Sequence, residues 1–451
     1  MRDIAIVLAL VAVLPFILKK PWIGIIVWVV VSVLNPHRLA FGFAYSMPIA
    51  QLVAAATLVA MLFSPDKKEW QFPVTPVTVT LLVFVFWMNV TTVFALYPVA
   101  AFAKWEKVMK IMLMLFLGLY ILHSRVHLNA MTWAIVGSIA FYGVKGGIFA
   151  LLTGGAHKVY GPPASEIEDN NAISFACVMI IPLIYYLSTL YENRWIKNGL
   201  RLAIVFCALT VLASRSRGAF LALSAAAAFL IMKSEKRLGL SVGIAVLAPM
   251  LILFMPESWT ARMQTIQTYE QDASSMGRIN AWWMCFNLAK DRPLVGGGYG
   301  IWNADAFARW APNPLDIHAA HSQFFAVLGE HGFVGLFLFL AFIGFAWRTG
   351  NLVDKKTRGV SELRWAASLG RMLQVSLIGY VVGGAFLSVA YFDVFYYIVA
   401  MLVLLRVVVE KEVQGLLGNR DAVQSSALAA PSQPVIAAPA GATTGTGQAK
   451  P

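Results

Sequence analysis

Histidine and arginine carry most of the chemistry this sequence offers. His318 and His321 stand three apart in IHAAHSQFF, Arg278 opens GRINAWW, and Arg215 and Arg217 flank a serine in SRSRGAF. An imidazole, with an intrinsic pKa of about 6.5, can take a proton at neutral pH. A guanidinium presents a fork of donors that matches phosphate geometry. Arg278 also lies at the start of a helical pattern, where free backbone N–H groups attract anions. Two readings of Arg215 and Arg217 are open: they reach lipid headgroups, or they hold an anion such as a lipid-linked diphosphate. Lys104, Lys107 and Lys110 recur at about one helical turn and read as a headgroup-facing stripe, with Glu106 among them weakening any phosphate claim.

Metal chemistry fits poorly. His318 and His321 can share a helix face, but no cysteine joins them. Glu330 lies nine residues past His321, about half a rotation off its face and ~13 Å along the axis. No metal site is therefore expected, and His321, at the outer end of an apolar run, is the candidate general base, with His318 a weaker one. Glu166, Glu168 and Asp169 could hold a cation, but they read better as an acidic turn in which Asp169 to Asn171 cap the next helix. Asn171 is a further candidate contact. The glycines of GGGYG, 296–300, lack the strand and helix of a nucleotide site and read as a flexible connection. Cys177, Cys207 and Cys285 lie too far apart in the chain for a disulfide framework or zinc cluster.

The elements that must position these groups follow from composition. The chain has 451 residues, 59% apolar or aromatic and 13% charged, where soluble domains carry roughly 25% charged residues. That excludes a water-soluble globule. The formal charge of +13 is spread in short clusters between apolar runs, a pattern of membrane topology that argues against nucleic-acid binding. Crossing ~30 Å of hydrocarbon takes roughly 20 apolar residues as helix. Runs near 47–63, 76–95, 105–122, 129–152, 171–190, 199–214, 218–232, 238–255, 321–347, 365–389 and 392–409 qualify. With the pair 3–18 and 21–34, a hairpin or one broken element, they predict an all-α polytopic protein of about 12 transmembrane helices. Basic loops stay in the cytoplasm. That rule puts the loop of Lys355, Lys356 and Arg358 inside, and 35–46, 96–104, 153–170, 215–217 and the long loop 256–320 outside. The last of these should contain a helix lying in the interface. A single membrane domain over 1–420 and a disordered cytoplasmic tail over 421–451 complete the expected organisation.

The order SRSRG, then GRINAWW with PLVGGGYG, then HSQFFAVLGEHGFVGL resembles the O-antigen ligases and their polymerase relatives, over roughly residues 165–340. The resemblance implies a glycosyltransferase of the bacterial inner membrane with its site facing the periplasm. It would move glycan from undecaprenyl diphosphate to lipid A-core with inversion, needing neither metal nor cofactor. His321 would activate the acceptor hydroxyl, and Arg217 and Arg278, with Arg215, would hold the diphosphate. Ser322 stands where many relatives have Asn. An O-antigen polymerase, a protein O-oligosaccharyltransferase of the same superfamily and, from another class, a lipid-linked oligosaccharide flippase are the rival functions. Membrane lipid is the other expected partner.

Overall fold

The computed structural model describes residues 2–163, 165–264 and 273–429, and among them the regular elements are helices without a strand. Local chemistry starts many of them. Pro21, Pro76 and Pro98 sit in the first turn of α2 (Pro21–Leu34), α4 (Pro76–Val93) and α5 (Pro98–Ile121), where a missing N–H costs nothing. Ser124, Asp169, Asn193 and Ser216 cap α6 (Arg125–Leu152), α7 (Asn170–Leu190), α8 (Arg194–Ala213) and α9 (Arg217–Lys233) with side-chain oxygens. At the chain's start, extended backbone at Lys20 separates α1 (Arg2–Lys19) from α2. The Asp3 carboxylate accepts from the backbone N–H of Gly42 and Ala44, which follow α2. The two ends thus meet, and the pair is a hairpin. α3 (Ile49–Phe63) packs on both.

Among the described residues six helical stretches are long and apolar enough to cross a bilayer: α4, α6, α7, α8, α14 (Gln323–Thr357), and α15 (Arg364–Gly384) with the turn before it. A seventh counts if α10 (Arg237–Leu253) and α11 (Glu257–Gln264), bent by 107°, form one span. The expected count of about twelve is not reached on length and apolarity. α2, α3 and α9 are short, α1 carries charges at both of its ends, and charged residues interrupt α5 and α16 (Asp393–Ala429). α7 is the buried centre, enclosed by α6, α8, α9 and α15. Cys177 on α7 and Cys207 on α8, distant in the chain, meet there against Gly143, both as free thiols. Residues 1–409 form one compact unit. The second unit, from residue 410, continues α16 to Ala429, and the remainder of the expected tail, 430–451, lies outside the described residues.

Two expectations about the segment before α14 are corrected. α12 (Ala273–Asp291), expected to spend its apolar face on the interface, buries Ala281, Met284, Cys285 and Leu288 inside the protein. They pack against Ile301, Ala320 and Phe307 of α13 (Ala304–Trp310). The 296–300 turn is a clamp, not a loose connection. Gly297 and Gly298 donate their N–H groups to the carbonyls of Gly329 and Glu330 at 2.8 and 2.9 Å, and Tyr299 is fully buried. The clamp grips α14 where Gly332, at φ 69° and ψ −170°, breaks the helix. Such backbone is open to glycine and strained by roughly 1–3 kcal/mol for other residues. A Cβ there would also run into the carbonyl oxygens of Pro293 and Leu294. Gly332→Ala is therefore expected to destabilise the fold by at least about 1–3 kcal/mol, seen as a lowered melting temperature in detergent. An unchanged melting temperature would mean that the break is not built into the fold.

The lysines of α5 differ from expectation as well. Lys104 bonds the buried carboxylate of Glu330 at 2.7 Å, Lys107 pairs with Glu166, and Lys110 pairs with Glu106 at 2.6 Å. A long cationic side chain reaches an internal carboxylate as readily as a headgroup, and helical spacing alone does not distinguish the two.

Candidate active site

Separate stretches of chain converge at the head of α9. Ser216 caps that helix by accepting from the Ala219 N–H, which fixes Arg217 in its first turn. Asn170, the first residue of α7, donates its amide to the Ser214 carbonyl at 2.8 Å and ties the two helix heads together. Between them Arg215 adopts φ 58°, a left-handed conformation that costs a non-glycine residue ~1–3 kcal/mol and tends to cluster at functional sites. Its guanidinium donates Nη2–H to the carbonyls of Ala156 at 2.8 Å and Gly155 at 3.3 Å. Arg215 thereby pins the loop carrying Lys158, which is anchored on its other side by buried Val159.

The other wall comes from the 256–320 segment. On α11, Trp259 donates its indole N–H to Leu212 and meets Phe220 edge-on, which sets Arg262 beside the α9 head. From α12, Ser275 accepts from Arg217 Nη2 at 3.2 Å, and Arg278 follows one turn later. Trp282 on the same helix donates to Ala320 at 2.7 Å and stacks on Phe325 at 5.0 Å. That contact holds the stretch through His321 against α12. Together Lys158, Arg215, Arg217, Arg262, Arg278 and His321 line a cleft of about 230 Å³, with Asn170, Asn171 and Ser274 adding polar groups and Phe386 the apolar edge. Among the described residues of this lining five side chains are cationic and none is a carboxylate, while the Asp169 carboxylate stands near enough to act on His321. Charge of one sign gathered in a cleft focuses the field on an anion.

His321 is the basic group of this lining. It takes φ 44° immediately before α14, and its Nδ1 is buried without a hydrogen-bond partner. Burial, and then the charge of Arg278, hold its pKa below the usual 6.5, because both penalise the imidazolium. The ring is therefore neutral at pH 7 and able to accept a proton. His318 stands apart from the lining. Its Nδ1 meets Asp316 at 2.6 Å and its ring lies against Gly277. Among the described residues no group of three or more His, Cys, Asp and Glu is placed to hold a metal ion.

The cleft thus collects His321, Arg215, Arg217, Arg278 and Asn171 from the expected set and leaves His318 out. Lys158, Arg262, Asn170, Ser274 and Phe386 are additions. Lys158 and Arg262 carried a readable signal, since both are basic residues in stretches where the topology rule disfavours positive charge. Phe386 carried none.

Residues 202–340 match the family model described as O-antigen ligase. This stretch, under half of the chain, is similar to the O-antigen ligases. That match, together with helices long and apolar enough to cross a bilayer, supports a multi-pass membrane protein similar to the O-antigen ligases. The matched stretch contains the α9 head, Arg262, Arg278 and His321. Residues 1–192 match a family of unknown function, DUF5935, and that segment supplies Lys158, Asn170 and Asn171 to the same cleft. Phe386 lies outside both matches. No curated protein matches the chain.

Proposed function

We propose that this protein transfers an O-antigen-type glycan from undecaprenyl diphosphate to lipid A-core at the periplasmic face of the bacterial inner membrane. One observation carries the reading: a cleft built largely from residues 202–340 unites a neutral imidazole with several guanidinium groups. The sidedness follows from charge. Lys67, Lys68, Arg194, Lys197, Lys236, Arg237, Lys355 and Lys356 sit in or beside the turns at the helix ends opposite the cleft, the ends that stay cytoplasmic.

The chemistry balances with these residues alone. His321 removes the proton of the acceptor hydroxyl as its oxygen attacks the anomeric carbon from the side opposite the diphosphate. The bond between that carbon and the phosphate oxygen breaks, configuration inverts, and undecaprenyl diphosphate leaves with the electron pair. Arg217 and Arg278 stabilise its developing charge, so no protein acid has to protonate it. Arg215 contributes by holding the Lys158 loop at the rim. The imidazolium then returns its proton to water. The energy resides in the donor's activated bond, which suits a compartment without ATP.

Reconstitution with lipid-linked donor and lipid A-core tests the assignment. One glycan added per core identifies the ligase. Donor-on-donor products would make it a polymerase, transfer to an added acceptor protein a protein glycosyltransferase, and relocation of intact donor across the vesicle membrane a transporter. Because only neutral His321 accepts a proton, kcat/KM should fall as pH drops through the histidine's lowered pKa and stay high at neutrality. The acid limb should have its midpoint below 6.5 in a pH–rate profile; a midpoint above 6.5 would exclude His321 as the titrating base.

A further inference from the structure

Lys104, Glu330 and the 296–300 turn have no part in the reaction as written, yet they meet at one place. Lys104 Nζ lies 2.7 Å from Glu330 Oε1, and the Tyr391 hydroxyl donates to Glu330 Oε2 at 2.7 Å. The Tyr391 oxygen is also 2.7 Å from Nε2 of His331, whose Nδ1 is 2.7 Å from the Thr91 hydroxyl. Glu330, His331 and Thr91 are fully buried. A phenol has one proton. Since Tyr391 gives it to Glu330, His331 donates from Nε2, and its Nδ1 accepts from the Thr91 hydroxyl, whose proton is shared with the Met88 carbonyl at 3.1 Å. The bonds all run one way, toward a carboxylate balanced by Lys104. Burial, and then the Glu330 charge, push the Tyr391 pKa well up, so the phenol keeps its proton. An internal carboxylate costs several kcal/mol unless its partners offset it.

Both ends of the network lead to the cleft. Glu330 closes the short first segment of α14, whose other end presents His321. Tyr391 belongs to the turn between α15 and α16, and near the start of that turn Phe386 packs on Gly218 and lines the cleft. Tyr380 and Tyr396 donate to the carbonyls of Val389 and Ala390 and fix the same turn. The hydrogen bond between Tyr391 and Glu330 therefore joins the element that carries the base to the element that carries the apolar edge.

We propose that Glu330 and Tyr391, with Lys104 as counter-ion, are positioning residues for glycan transfer, setting where the His321 imidazole stands relative to the bound donor. The inference rests on the reading of His321 as base. It also gives the N-terminal segment a part in the reaction, because Thr91 and Lys104 lie within residues 1–192.

The test uses the full chain in proteoliposomes with undecaprenyl-diphosphate-linked glycan and lipid A-core, comparing Tyr391→Phe and Glu330→Gln with His321→Asn. A displacement of about 1 Å at a reacting group costs ~10²-fold. Each of the first two variants is expected to lose roughly 10- to 100-fold in kcat while donor KM stays within about twofold, and to unfold cooperatively above the assay temperature at a melting temperature lowered by the lost partner. Wild-type kcat in both would overturn the proposal, as would a kcat loss accompanied by an equal loss of donor affinity and a collapse in melting temperature, the mark of general loosening. Wild-type transfer by His321→Asn would remove the base assignment itself. An inactive His321→Asn beside a fully active Tyr391→Phe would sink the positioning role alone.

Discussion

Replacing His321 by asparagine is expected to cut transfer by ~10²–10⁴-fold, the usual worth of a positioned general base, while the lipid-linked donor still binds. Asparagine is the informative substitution because His321 sits at φ 44°, and Asn tolerates left-handed backbone better than most residues. Loss of activity then reports the imidazole and not a distorted start to α14. The cations of the cleft remain in place in this variant, so donor affinity should stay close to wild type, read as binding of labelled donor by purified protein. A variant that lost donor binding in step with turnover would show that His321 acts by holding substrate.

Arg217 and Arg278 should show the complementary pattern. Each stands where a guanidinium can meet a diphosphate in the lined cleft, and each hydrogen bond to a charged group contributes about 1.5–3 kcal/mol. Arg217→Ala and Arg278→Ala are thus expected to lower kcat/KM by roughly 10- to 100-fold, with a raised KM for donor, whose two phosphates they would hold. Lysine at either position should restore only part of the loss, because a point charge cannot reproduce the two-pronged contact. Full rescue by lysine would reduce the requirement to charge alone. Removal of Arg278 has a second consequence: its charge helps to hold the His321 pKa down, so the acid limb of the rate profile should move upward.

What could be read in advance, and what could not, divides along physical lines. A helix that crosses a bilayer announces itself by a long apolar run, and the boundaries of α4, α6 and α7 lie close to those expected, while α14 runs ten residues past the expected end at 347. Charged arginines between apolar helices are costly enough to call for an explanation, and Arg215, Arg217 and Arg278 do converge with His321. Arg215 nevertheless spends Nη2 on the carbonyls of Gly155 and Ala156, a contact between loops that no spacing rule reports. Spacing along one helix axis relates Glu330 to His321 only as a metal ligand. Its partners Lys104 and Tyr391 come from α5 and the turn before α16, and pairing across such separations is invisible to local periodicity. The glycines of 296–300 misled for the same reason, because a clamp and a loose loop share one composition until the carbonyls they hold are known.

Everything proposed here depends on whether the cationic cleft and His321 make a glycosidic bond. The most direct measurement is transfer by the purified full-length protein from native undecaprenyl-diphosphate-linked donor to lipid A-core, with a chelator present. Wild type should yield glycan-bearing core with release of undecaprenyl diphosphate, and His321→Asn should yield almost none. Absence of product from a wild-type protein that binds donor, or equal product from both proteins, would contradict the claim.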